Sequence, residues 1–114
     1  MDNKARGNEG EDVALHYLED KGYEILERNF RNRRAEIDLI ALWRNELLVF
    51  VEVKKRKDTS YGDPEAFALP GQQRLIIQAA EDYIFSINWH KDIRFDIIAV
   101  NDNNQIEHFE DAFY

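Results

Sequence analysis

Cysteine is absent from this chain of 114 residues, which excludes a disulfide framework, a thiolate zinc site and redox chemistry at a thiol. Long apolar runs are absent too, because the run at residues 47–51 is far shorter than the roughly 20 residues of a membrane-spanning helix. The first dozen residues, MDNKARGNEGED, contain none of the apolar stretch that a secretory signal needs. We therefore expect a soluble, cytoplasmic protein with no membrane partner.

Proline and glycine are scarce, with 2 and 5 residues respectively. Both prolines lie in residues 57–70, which also contain Gly62 and are predicted to form a loop. A chain with 44% hydrophobic and 12% aromatic residues can bury one compact core, but it is too short for two ordinary domains. We expect a single domain over residues 1–114.

The net charge of −8 argues at first against a nucleic-acid partner, since phosphate backbones are bound by clustered Lys and Arg. The charge is unevenly distributed, however. Residues 1–57 hold 12 of the 15 basic and 12 of the 23 acidic residues, so all of the excess acidity lies in residues 58–114. Basic residues cluster at 28–34 and 54–57, two patches that can bind phosphates, although a solvated strand end is the commoner explanation of any one charge run.

Residue periodicity predicts an α/β fold. A helix is expected at residues 9–21, followed by three strands (YEILERNF, AEIDLIALW and ELLVFVEVK), a helix at 71–86, a strand at 93–100 and a short edge strand, QIEHF. Three successive strands suggest an antiparallel meander, and strand, helix, strand suggests a parallel crossover. The third strand is apolar on both faces, so helices should cover both sides of a mixed sheet. The aromatic tail, Phe113 and Tyr114, should pack back onto the domain.

The run Glu36, Ile37, Asp38 on one strand and the run Glu52, Val53, Lys54 on the next place charges at the ends of apolar faces. Leu48, Phe50, Glu52 and Lys54 share one face of the third strand, and Ile40 and Leu42 are expected to continue the face of Glu36 and Asp38. Charges on a covered face are costly unless they are paired or bind a metal.

Two carboxylates at one sheet end form an oxygen site suited to Mg²⁺, with Mn²⁺ as a substitute. Asp38 and Glu52 would bind the cation, Lys54 would orient a water or stabilise developing charge, and Glu11 on the first helix could complete the site. The alternative is a cross-strand ion pair between Glu36 and Lys54, with Asp38 and Glu52 emerging into solvent. Spacing alone leaves the two about equal.

The register of these two strands constrains the length of the turn between them. Asp38 can face Glu52 only if the numbers of opposite residues sum to 90, which requires an odd number of turn residues. We predict a three-residue turn formed by Arg44, Asn45 and Glu46, with Asn45 at a position of positive φ.

Six ordered segments of the chain resemble a known family: GNEGEDVALHYLEDKGYEILERNFR, AEIDLIAL, LVFVEVKKR, RLIIQAAEDYI, RFDIIAV and IEHFEDAF. The sequence is similar to the YraN-like uncharacterised protein family 0102, predicted endonucleases related to archaeal Holliday-junction resolvases in the PD-(D/E)XK superfamily. The resemblance implies a restriction-endonuclease-like fold and a metal-dependent endonuclease. It gives Asp38, Glu52 and Lys54 the roles of the nuclease triad and Glu11 that of the helix-borne acid.

Two positions depart from the family pattern. Ala35 stands where the family usually has Gly, and Gly71 stands where a Lys commonly opens the second helix. One phosphate or water contact of that helix is therefore missing, and Gln72 is the nearest substitute. The residues expected to contact nucleic acid are Arg31, Arg33, Arg34, Lys55, Arg56, Lys57 and Gln72.

Three functions remain open on the sequence. The first is an endonuclease acting on DNA, including branched or single-stranded forms. The second is a nucleic-acid-binding or protein-docking module with the same fold and little or no catalysis. The third is a protein whose acidic second half docks a basic partner. The oligomeric state is open, a homodimer included. His16, His90 and His108 show no ligand spacing and receive no role, and Arg94 with Asp96 is expected to form a structural ion pair.

Overall fold

The computed structural model describes residues 9–56 and 70–113, in which two helices and five strands occur. In chain order these are α1 (Glu9–Asp20), β1 (Tyr23–Asn32), β2 (Ala35–Trp43), β3 (Leu47–Arg56), α2 (Pro70–Ser86), β4 (Asp92–Asn101) and β5 (Ile106–Phe109). The order matches the prediction. The predicted loop at 57–70 lies outside the described residues except for Pro70, where α2 begins.

The five strands form one mixed sheet in the order β1-β2-β3-β4-β5. Neighbouring strands are antiparallel except β3 and β4, which are parallel. A parallel pair cannot be joined by a tight turn, and α2 lies in the connection between β3 and β4. The predicted α/β architecture, an antiparallel meander plus one parallel crossover strand flanked by helices, is confirmed.

The turn between β2 and β3 has the predicted three residues, Arg44, Asn45 and Glu46. Trp43 pairs with Leu47 and Leu39 pairs with Val51, so the residue numbers of each cross-strand pair sum to 90, as predicted. Asn45 has a φ of 59°, as predicted, and Arg44 has one of 54°, so two successive residues are left-handed. The Glu46 N–H closes the turn by donating to the Trp43 carbonyl at 3.0 Å.

Each helix covers one face of the sheet. On the first face, α1 contributes Ala14 and Leu18 to an apolar cluster with residues from β2, β3 and β4. On the second face, α2 contributes Ile76, Ala79 and Ala80 to a larger cluster that also contains the β3 aromatic Phe50. Because β3 is buried on both faces, it is the central strand that its apolar sequence predicts.

The alternation of β2 is interrupted at Asp38. Ala35 and Ile37 pack on the α2 side, but Leu39 packs on the α1 side and Ile40 on the α2 side again. The expectation that Ile40 and Leu42 continue the face of Glu36 and Asp38 is therefore wrong. The change of phase coincides with the end of pairing to β3, since residues 35–37 pair only with β1 and Asp38 has no partner in either ladder.

Asp96 of β4 is fully buried and is the centre of a polar network. Its carboxylate accepts two hydrogen bonds from Arg94, one from the Asp111 N–H at 3.1 Å, and lies 2.7 Å from His108 Nε2. The expected Arg94–Asp96 ion pair is confirmed. His108, to which sequence reasoning gave no role, joins β5 to this network and to Tyr17 of α1.

The predicted packing of the carboxyl-terminal aromatics is confirmed for Phe113, whose ring lies 5.3 Å from that of Phe95. Tyr114 lies outside the described residues. Neither described helix is long and apolar enough to cross a membrane.

Candidate active site

The candidate site lies in a fork between β2 and β3. Their pairing ends at Leu39 and Val51, and beyond this point β2 pairs only with β1 while β3 pairs only with β4. Asp38 and Glu52 are the next residues on either side of the fork. The Val53 N–H, no longer used in this ladder, donates to Asp38 Oδ2 at 2.7 Å.

Glu52 is the most deeply placed carboxylate of the site. It is 5% exposed, and its Oε2 is buried without a hydrogen-bond partner among the described residues. Burial and the negative charge of Asp38 raise the pKa of Glu52 to about 8, against the opposing effect of Lys54. An ionised carboxylate in this position requires a compensating positive charge.

Asp38 is partly buried beside Glu52. Burial raises the pKa of Asp38 to about 6, and the hydrogen bond from Val53 only partly offsets this. The nearby charges of Glu11 and Glu36 contribute to this rise in the pKa of Asp38, whereas Lys54 opposes it. Carboxylates that raise one another's pKa in a concave site are candidates for function, although structural clusters also do so.

Glu11 approaches the same group from α1. Its side chain is 13% exposed, on the buried stripe that includes Ala14 and Leu18, and burial raises its pKa while Arg28 opposes the rise. Arg28 Nε lies 3.5 Å from Glu11 Oε1, too long for a hydrogen bond, and that oxygen is also buried without a partner. The position of Glu11 on that stripe predicts that it points toward Asp38 and Glu52. This is confirmed for Asp38, since oxygens of the two residues lie within 4.8 Å of each other, whereas Glu52 is not a member of that group of described carboxylates.

Glu36 is a member of the carboxylate group that sequence reasoning did not include in the site. Oxygens of Glu11, Glu36 and Asp38 all lie within 4.8 Å of one another. The alternative of a Glu36–Lys54 ion pair is not what forms, since Glu36 Oε1 accepts from Arg31 Nη2 at 2.8 Å. A signal was available, because Glu36 stands two residues before Asp38 and strand side chains recur with a period of two.

The carboxylates border a pocket of about 250 Å³ between the fork and the first turns of α2. Its lining residues are Arg34, Ala35, Glu36, Asp38, Glu52, Gln72, Leu75 and Ile76. A larger pocket of about 360 Å³ lies at the other end of α2, between Phe85 and Trp89. We favour the smaller pocket as the functional one because it is polar and contains the converging carboxylates.

The predicted nucleic-acid contacts lie around the fork but differ in their engagement. Arg34 and Gln72 line the pocket, whereas Lys57 lies outside the described residues. Arg31 pairs with Glu36, Arg33 Nε lies 3.4 Å from Asp82, and Lys55 Nζ lies 3.5 Å from Glu9. Arg56 donates to the carbonyl of Lys55 at 3.0 Å. Exposed pairs of this kind are weak and can be exchanged for phosphate.

Gly71 lies in the first turn of α2, one residue before Gln72. A Cβ added at Gly71 would meet nothing within 4 Å among the described residues. A larger side chain would therefore fit at this position.

Fold and site together define a small α/β domain with a carboxylate cluster in the fork of a mixed sheet. The chain belongs to the uncharacterised protein family UPF0102, whose model matches residues 10–100. The family assignment made from the sequence segments is thus confirmed.

Relatives in this family extend over nearly the whole chain. A UPF0102 protein of Flavobacterium psychrophilum is 46% identical over 95% of this chain and 92% of its own, and one from Persephonella marina has the same three values. A relative from Thermodesulfovibrio yellowstonii is 44% identical over 95% of each chain. Among solved structures, Pyrococcus furiosus SfsA in complex with Ca²⁺ aligns with 96% of this chain and 64% of its own. The alignment has 14% identity and a TM-score of 0.34.

Proposed function

We infer that this protein is a metal-dependent endonuclease that hydrolyses phosphodiester bonds of DNA. The observation that carries the proposal is the buried, unpartnered Oε2 of Glu52 next to Asp38 in the fork. A buried carboxylate costs folding free energy unless it is protonated or its charge is compensated, and a ligand that brings positive charge supplies that compensation when Glu52 is ionised.

The chemistry of the donor set fits Mg²⁺, with Mn²⁺ as a substitute. Asp38, Glu52 and Glu11 offer only carboxylate oxygens, the ligand type that hard divalent cations prefer. The described residues bring no histidine into the group of Glu11, Glu36 and Asp38. When bound, such a cation supplies Lewis-acid polarisation of a phosphoryl oxygen and lowers the pKa of an attacking water.

Lys54 is the residue that we assign to charge stabilisation in the reaction. It follows Glu52 by one strand period, and its positive charge lowers the pKa of both Asp38 and Glu52. An ammonium there donates hydrogen bonds to a water or to the negative charge that develops at phosphorus. Lys54 thus stabilises charge in the transition state without serving as a cation ligand.

Substrate binding falls to the basic residues around the fork. Arg34 and Gln72 on the α2 side, with Arg31, Arg33, Lys55 and Arg56, would contact phosphates while the cation offsets the acidic centre. Lys57, outside the described residues, is expected from the sequence to contribute as well. A phosphate contact normally supplied by Lys at position 71 is lacking. The alternative, a nucleic-acid-binding or protein-docking module with little catalysis, draws its support from Gly71.

The test is a cleavage assay on duplex, branched and single-stranded DNA, with RNA in parallel, in Mg²⁺, Mn²⁺ or chelator. We expect cleavage that depends on the cation and is abolished in Glu52→Gln. Asp38→Asn should behave in the same way. Glu46→Gln, which changes an exposed carboxylate at the opposite end of the same hairpin, is the matched control. Cleavage that persists in Glu52→Gln, or its absence in the wild type, would favour the binding module.

A further inference from the structure

Glu36 has two competing sets of neighbours. Its carboxylate lies within 4.8 Å of oxygens of Glu11 and Asp38, and its Oε1 also accepts from Arg31 Nη2 at 2.8 Å. The same side chain therefore faces an acidic cluster on one side and a basic residue on the other.

The spacing of the three carboxylates suits a shared cation. Two oxygens on opposite sides of one Mg²⁺ or Ca²⁺ lie roughly 4 to 5 Å apart, given usual ligand distances. A second observation points independently to a positive ligand. Glu52, 5% exposed and lining the same pocket as Glu36 and Asp38, has an oxygen without a partner.

We propose that Glu36 completes a cation position with Glu11 and Asp38, and that cation binding displaces Arg31 from Glu36 and frees it for a phosphate of the substrate. The phosphate half of this proposal rests on the nuclease function inferred above. The cation half stands on the carboxylate geometry alone. Metal binding and nucleic-acid binding would then be coupled through one Arg–Glu exchange.

The exposure of the pair makes the exchange feasible. The Arg31 side chain is 77% exposed and that of Glu36 37%, so the ion pair is screened by water and contributes little. Arg28 differs, because its side chain is 33% exposed and reaches both Glu11 and Asp12. In this proposal Arg28 remains paired with Glu11 and holds it in position, whereas Arg31 is the arginine that is displaced when the metal ion binds.

The first experiment measures the affinity of the full chain for MgCl₂ and MnCl₂ alone, by calorimetry without nucleic acid. Glu36→Gln is expected to weaken binding by about tenfold or more, in the range that supporting groups of metal sites show. Glu46→Gln should leave the affinity unchanged. An affinity that Glu36→Gln does not alter would overturn the proposal.

The second experiment tests the exchange with a double-mutant cycle. Arg31→Gln should tighten cation binding by up to about fivefold, since the competing pair is gone, but should have no such effect in a Glu36→Gln background. Arg44→Gln, which removes an exposed arginine from the distant hairpin turn, controls for net charge. If Arg31→Gln has an equal effect in both backgrounds, Arg31 acts only through space and the exchange is wrong.

The third measurement separates this proposal from the nuclease function. Cation at saturation should tighten binding of a non-cleavable oligonucleotide to the wild type more than to Arg31→Gln. If cation affinity depends on Glu36 but no nucleic acid is cleaved, the cation site stands and the nuclease falls. If cleavage occurs but Glu36→Gln leaves cation affinity unchanged, the nuclease stands and the Glu36 position falls. Circular dichroism of each variant checks that it is folded.

Discussion

Asp38 Oδ2 accepts the backbone N–H of Val53 at 2.7 Å, at the point where β2 and β3 cease to pair. The bond holds the Asp38 carboxylate inside the fork, across from the strand that carries Glu52. Two carboxylates are thereby kept in a partly dehydrated space, where burial raises the pKa of both and the charge of Asp38 adds to the rise at Glu52. Without a proton or a cation, this arrangement costs folding free energy.

The first prediction concerns the pH dependence of stability in chelator. A carboxyl with a raised pKa binds its proton more tightly when folded, so its contribution favours folding at low pH and is lost as pH rises. For Asp38 and Glu52 the loss runs from their ordinary values of 3.8 and 4.5 up to about 6 and 8. Glu52→Gln should therefore flatten the decline of Tm between pH 5 and pH 8. At pH 8 we expect its Tm to exceed that of the wild type by about 4 °C or more.

Thermal unfolding at several pH values, with Glu46→Gln as the control, measures this difference. At pH 8, saturating Mg²⁺ should raise the Tm of the wild type above its value in chelator, because a ligand that binds the folded state stabilises it. The Tm of Glu52→Gln should change little. Parallel pH profiles for wild type and Glu52→Gln would show that Glu52 carries no raised pKa.

The second prediction distinguishes Lys54 from the carboxylates. Lys54→Ala removes a charge that stabilises the transition state but no cation ligand, so calorimetric affinity for Mg²⁺ should stay nearly unchanged. The cleavage rate should fall by a factor of roughly 10² to 10³. Asp38→Asn should instead weaken Mg²⁺ binding. If Lys54→Ala abolished Mg²⁺ binding, Lys54 would be a structural support of the site and not a participant in the reaction.

The third prediction uses the open space at Gly71. Gly71→Lys should introduce a phosphate contact at the start of α2, because nothing described lies within 4 Å of the added Cβ. Nucleic-acid affinity should increase, and the slope of log K against log salt should steepen by about one unit. Gly71→Ala, the control, should stabilise the helix by up to about 1 kcal/mol without changing that slope. An unchanged slope in Gly71→Lys would place the nucleic acid away from α2.

The fourth prediction concerns the network around Asp96, whose described members do not line the pocket. Burial works to raise the pKa of Asp96, but hydrogen bonds from His108, Arg94 and the Asp111 N–H outweigh it and lower the pKa. Asp96→Asn should lower the free energy of unfolding by about 3 kcal/mol, since it leaves the Arg94 charge poorly compensated. Urea unfolding measures the change, and Asp92→Asn, an exposed acid on the same strand, is the control. A loss below about 1 kcal/mol would mean that the network is dispensable.

The element order and the register of the hairpin followed from local chemistry. Alternating apolar residues identify strands, and the odd turn at Arg44, Asn45 and Glu46 determines which residues face each other across it. The register that pairs Leu39 with Val51, and so brings Asp38 and Glu52 to the same level of the hairpin, is therefore encoded within 15 residues of chain. The register depends on local backbone geometry, whereas the divergence of the two strands beyond this pair does not.

The amino-acid sequence by itself determined the strands, the family and the pair Asp38 and Glu52. Tertiary structure decided that β2 and β3 diverge beyond Leu39, that Glu36 turns toward Glu11 as well as Arg31, and that His108 reaches Asp96. These contacts join side chains on different elements, whose distances depend on how each helix and strand packs on the sheet. The periodicity of a single segment does not contain these distances, because they result from the packing of both apolar clusters on the sheet.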